Sequence, residues 1–203
     1  MTHDTPHATD TFDLAALVHK ALRGCLFDTL LQVGRVDAGD AGQLRACAWQ
    51  VRQLLALCGE TQPALHAAVD RLGQGPLEQR AMAAQTLYQA LSQWTLQQLQ
   101  RMAEDEAAQA GQLPPRAQAA ARLAALSDAE LREALHWMGR SLGPQELAAL
   151  LGLLQPAEGA RFGLALQALD SAVDGAGWDG LARAMGLPTV TLPAMRPALS
   201  LAA

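Results

Sequence analysis

FDLAALVHKALRGCLFDTLLQV, residues Phe12 to Val33, places Leu14, Leu17, Val18, Leu22, Cys25, Leu26 and Leu30 three and four residues apart. That is the spacing of one buried helix face. A helix this long buries such a stripe only against other helices, so the rest of the chain is read for partners of the same kind. Gly34, Asp37, Gly39 and Asp40 end the first helix, and Leu44, Cys47, Val51, Leu54, Leu55 and Cys58 trace a second stripe. Gly59 stops that one. Pro63 fits the first turn of a short third helix, with Leu65, Val69 and Leu72 on one face, before Gly73 and Gly75 break it.

Pro76 suits another first turn, and Leu77, Met82, Leu87, Leu91, Trp94, Leu96, Leu99 and Met102 predict a long fourth helix that frays near Gly111. Pro114-Pro115 is the clearest internal boundary, and the Ala-rich stretch after it has high helix propensity with a thin apolar face. Ser127 with Glu130 forms a capping box for a helix bearing Leu131, Leu135, Trp137 and Met138, and Gly143-Pro144 opens one bearing Leu147, Leu150, Leu151 and Leu154. Ala160 to Val173 and Trp178 to Met185 are two further amphipathic pieces. Only Thr189 to Leu192 alternates like a strand, and the neighbouring prolines argue against a sheet there. The expected fold is all-α: a four-helix up-and-down bundle over residues 12–111, helical additions over 112–187, and tails at 1–11 and 188–203.

Composition narrows the function classes. The chain has 203 residues, half of them hydrophobic, enough for a full core. Charged residues are 17% with a net charge of -5 and no long run of one sign, which gives no footprint for nucleic acid or an anionic membrane surface. Leu147 to Leu154 is the kind of apolar run present, well short of the ~20 residues that span a bilayer. The first residues carry no signal-peptide pattern. Cys25, Cys47 and Cys58 are an odd number, widely spaced, and read as reduced buried thiols of a cytoplasmic protein. A Gly-rich phosphate loop, a close cysteine pair, a nucleophile elbow and a His-Glu-x-x-His helix are all absent from the sequence, so the expectation is that the protein is not an enzyme.

Among polar residues His19 stands out, since Leu22, Leu26 and Leu30 follow it at helical spacings. Such an imidazole is either a metal ligand in a bundle core or a histidine that is hydrogen-bonded to a neighbour or lies at the edge of the core. His66 and Asp70, four apart, read as a solvated pair more readily than as a chelate. Glu106 closes the acidic run from Glu104; it is either an inward carboxylate able to meet His19 or part of a solvated helix end. His136, His3 and His7 have no ligand-spaced partners.

The order of these pieces resembles the hemerythrin-like (HHE cation-binding) domain family, in the form with a helical C-terminal extension. HKALRGCLFDTLLQVGRVDAGD, His19 to Asp40, is similar to the opening helix of such domains. TLYQALSQWTLQQLQRMAEDE, Thr86 to Glu106, resembles the helix bearing the last ligands, and LHWMGRSLGPQELAALLGLL, Leu135 to Leu154, resembles the extension. The resemblance implies that His19 stands at the first-helix iron ligand and Glu106 at the carboxylate five residues after the fourth-helix histidine. Arg101 occupies that histidine's own position. In LCGETQPALHAAVDRL, Leu57 to Leu72, Glu60 and His66 are the only remnants of the ligands the family places on its middle helices.

A di-iron centre needs several histidines and carboxylates converging from four helices. The resemblance therefore implies the fold without the iron chemistry: a degenerate member that holds no cofactor and acts as an interaction or regulatory module, through an unknown protein partner or self-association. The alternative is a divergent metal-binding or oxygen/iron-sensing protein in which His19, His66, Glu106 and Glu60 hold one iron.

Overall fold

The structure is a computed structural model that describes residues 11–59, 61–154 and 159–187. Nine helices run through them, and the one β-type contact among the described residues is an isolated bridge of Thr11 with Pro115. The fold is all-α, as the periodicity predicts. In order the helices are α1 (Leu14–Arg35), α2 (Ala41–Leu57), α3 (Pro63–Arg71), α4 (Leu77–Gln109), α5 (Arg116–Ala125), α6 (Asp128–Ser141), α7 (Pro144–Leu154), α8 (Gly159–Asp170) and α9 (Gly175–Ala184). The expected tail after Leu187, with its strand-like Thr189 to Leu192, lies outside the described residues, as do His3 and His7.

Local chemistry sets the boundaries. Asp40 caps α2 by accepting from the backbone N–H groups of Gly42 and Gln43, which satisfies two of the orphan donors of a helix start. These bonds hold its carboxyl below the usual range. Pro63 and Pro144 occupy first-turn positions, where the missing N–H costs nothing. At α6 both halves of the capping box form: Ser127 accepts from Glu130 N–H, and the Glu130 carboxylate accepts from Ser127 N–H at 2.8 Å. Gly59 and Gly111 follow their helices at φ 64° and 82°, a region that L side chains adopt only at a cost.

The chain divides into two compact units. One comprises Arg23–Ala108; the other comprises Met1–Leu22 together with Gln109–Ala203. The first turns of α1 thus belong with the C-terminal helices, whereas the periodicity of α1 alone assigns the whole helix to one bundle.

In the discontinuous unit α5 packs on α7, α7 on α8 and α9, and α6 on α8. Leu14, Ala21, Leu123, Leu135, Leu150, Leu166 and Trp178 lie in its core, with Phe12, Leu17 and Val18 against them. Each fully buried leucine contributes about 1.5–3 kcal/mol. Two glycines let helices approach: a Cβ at Gly139 of α6 would lie 2.8 Å from a Leu169 methyl, and one at Gly180 of α9 would lie 2.8 Å from the Pro144 ring. Arg161 of α8 donates to the carbonyls of Leu123, Ala124 and Leu126, closing the orphan acceptors at the end of α5. Lys20 meets the Glu146 carboxylate at 2.7 Å, and Glu146 also accepts from Gly143 N–H. The ammonium first, and the backbone bond with it, hold that carboxyl below its ordinary range.

The unit Arg23–Ala108 contains the rest of α1 with α2, α3 and most of α4. Leu26, Leu54, Leu55, Leu65, Leu72, Leu87 and Leu91 are fully buried, and α2 packs on the nine-residue α3. Three residues of the expected α4 stripe, Leu77, Met82 and Leu96, are instead exposed, and Thr95 is buried in their place. Over 33 residues a face drifts around the helix, so no single three-four pattern holds from end to end.

Candidate binding groove

Leu31 of α1 is 55% exposed and Phe27, one turn before it, 49%. Both lie off the stripe that α1 buries through Cys25, Leu26, Thr29 and Val33, so this half of α1 carries a second apolar row that the core of its unit does not use. The first half of α4 adds Ala81, Ala84, Gln85 and Tyr88, at helical spacings, to the same lining. Together these residues line a groove of about 860 Å³. Its floor is low because Ala81 and Ala84 are small and Gly34 has no side chain; a Cβ on Gly34 would lie only 3.0 Å from Cε2 of Tyr88.

The groove's only charged lining residue is Arg35, in the last turn of α1. Among the described residues the Arg35 side chain makes no hydrogen bond or ion pair. The nearby Asp37 carboxylate accepts from Gly39 N–H at 2.8 Å and is not part of the lining. An apolar trough with one free guanidinium, one amide and one phenol has the make-up of a small-ligand site, in which a few polar groups orient an apolar body.

The residues expected to bear on metal fall elsewhere. His19 is half-buried in the discontinuous unit, while His66 and Glu106 belong to Arg23–Ala108. Both oxygens of Glu106 accept from Arg23, at 2.8 Å each. A cation recruited to that carboxylate would have to compete with a guanidinium that keeps its charge at every working pH. His66 is exposed on α3, and Asp70 pairs with Arg52 of α2 at 2.8 Å, which is the solvated arrangement. Glu60 lies outside the described residues. No group of three or more His, Cys, Asp or Glu comes together among the described residues.

The remaining reactive side chains are subdued. Cys25 and Cys47 are buried and Cys58, at the end of α2, is half-buried; none of the three is in a disulfide. Burial pushes the Cys47 thiol up to about 11. The half-buried His136 bonds through Nδ1 to Ser171 Oγ at 3.0 Å; partial burial, and then the Arg140 charge, lower its pKa from 6.5. No helix among the described residues is long and apolar enough to cross a membrane.

The sequence reading missed the groove. Its only trace in the sequence is that Phe27 and Leu31, four apart, stand beside the main stripe of α1 and not on it; the α4 part of the lining has no signal beyond small residues at helical spacing. The chain matches no family model, no curated protein and no solved structure. The likeness to hemerythrin-like domains therefore rests on the quoted helices alone.

Proposed function

We propose that this protein is a non-enzymatic interaction or regulatory module that works through the α1–α4 groove of Arg23–Ala108. The observation that carries the reading is the exposure of Phe27 and Leu31 along one continuous groove that holds 860 Å³. Contiguous apolar surface of this kind is costly to leave in water and marks a place where something binds. The order of helices supports descent from a hemerythrin-like bundle, and the Arg23 grip on Glu106 supports loss of its iron chemistry. Three cysteines outside any disulfide support a reducing, cytoplasmic setting.

A photo-crosslinking residue placed at Leu31 in growing cells tests the surface. A discrete adduct at position 31, and none from the same probe at the still more exposed Trp49, which is not part of the groove lining, is the expected result. Equal labelling from both positions, or none from either, would sink the reading. The metal side is tested separately on protein purified from iron-supplemented growth. Iron well below one per chain and no oxo-bridge absorption are expected; near-stoichiometric iron would favour a divergent iron or oxygen sensor.

A further inference from the structure

Met82 and Leu96 are the most exposed large hydrophobic side chains among the described residues, at 71% and 66%. They stand two heptads apart on α4. Thr86, Gln89 and Gln93 lie between them, and Gln100 and Ala103 follow. The steps along this line alternate strictly between four residues and three, and all seven side chains are exposed. The line is about 32 Å long. It lies on the side of α4 turned away from Leu87, Leu91 and Trp94, which the unit buries, and none of its residues lines the groove.

A helix face in water is normally charged. From Ala81 to Gln100 the chain carries no charged residue at all, although Arg80 and Arg101 bracket the stretch. Charge depletion around apolar side chains is the compositional mark of the centre of a protein contact. Unbroken alternation of threes and fours is the repeat by which one helix seats on another, and the slow drift of such a line around α4 is followed by a partner that coils with it.

The order of residues along the line selects the partner. In an antiparallel pair with its two-fold axis at Gln89, Met82 of each copy meets Leu96 of the other, and the two Gln89 amides meet one another, each able to donate and to accept. Moving the axis to Gln93 would set Gln89 against Leu96 and leave amides facing aliphatic carbon. A parallel pair would place Glu104 beside Glu104 and align the two helix dipoles; the antiparallel pair avoids both. The side-chain amides of Gln89 and Gln93 make no hydrogen bond among the described residues, so pairing displaces only water from them. Seven residues a side is well under the 20–30 of a stable contact, which makes the pair weak and reversible.

We infer that α4 is a dimerisation helix, along which two copies of this chain pair antiparallel through Met82, Gln89 and Leu96. Sedimentation velocity on the full-length protein over micromolar concentrations tests it. A monomer–dimer equilibrium that shifts with concentration is expected. Met82→Glu and Leu96→Glu, at side chains too exposed to threaten folding, should each weaken the dimer by about tenfold or more with helix content unchanged, while Leu31→Glu in the groove leaves it as it is. Met82→Lys made together with Leu96→Glu sets opposite charges face to face in this register, and should restore much of what either change loses alone. A chain that is monomeric at every concentration, a dimer indifferent to Met82→Glu and Leu96→Glu, or a double variant no stronger than Leu96→Glu would each overturn the inference. A lone monomer that gives an adduct to a different protein from a probe at Leu96 would overturn it as well, by assigning the face to that protein.

Discussion

Thr95 is 3% exposed, and its hydroxyl finds no partner among the described residues, although Thr29 in the same unit donates to the Cys25 carbonyl at 2.7 Å and accepts from Gln50. A buried hydroxyl without a bond has lost its water and gained nothing in return. Thr95→Val keeps the shape and removes the debt, so it should raise stability by about 1 kcal/mol in urea unfolding. Arg23 and Glu106 are each about one-third exposed, and breaking that pair with Glu106→Gln should cost no more than about 1 kcal/mol. At His136 the sign runs the other way from a salt-bridged histidine. Its folded-state pKa lies below 6.5, so well above 6.5, where both states are neutral, it contributes no pH dependence. As pH falls below that value the unfolded chain takes up the proton more readily and stability drops. An NMR titration should place its midpoint below 6.5, and His136→Gln should flatten that part of the stability profile. Cys47, with its pKa near 11 and its sulfur buried, should react with a thiol reagent only after unfolding, later than Cys58.

Helix starts were legible where a side chain or a ring announces them. Asp40, read only as part of the break after the first helix, also caps α2. Pro63 and Pro144 act through a fixed φ and a missing N–H, and Ser127 with Glu130 through two local bonds that need no knowledge of the tertiary structure. Ser127→Ala removes one such bond and should cost about 1 kcal/mol, read as a lower melting temperature with unchanged helix content. The start of α9 was less visible. Asp174 caps it by accepting from Gly177 N–H, but the first turn holds Gly175 and Gly177, so the apolar pattern begins only at Trp178. Interhelical facts were not legible. That Leu77, Met82 and Leu96 face outward, that Glu106 meets Arg23, and that Phe27 and Leu31 border a groove all depend on how one helix is rotated against another, which periodicity within a single helix leaves open. Gly139 belongs to the same class. In the sequence it is an unremarked glycine inside a helix; in the fold it is the point where α6 meets Leu169 and Ala172. Gly139→Val should cost about 1–3 kcal/mol through overpacking, despite its better helix propensity.

Each compact unit has its own set of fully buried leucines, Leu54 in Arg23–Ala108 and Leu150 in the other. Leu54→Ala and Leu150→Ala should each cost about 2–5 kcal/mol, and combining them should add within about 0.5 kcal/mol; a larger departure would mean that the two substitutions are energetically coupled. The unit that includes Leu14, Leu17 and Val18 is completed only by α5 to α9, far downstream in the chain. During synthesis at about 5–20 residues per second, those first turns emerge several seconds before the helices that cover them. Until those helices follow, Leu14, Leu17 and Val18 stand in water without the apolar faces that cover them in the folded unit.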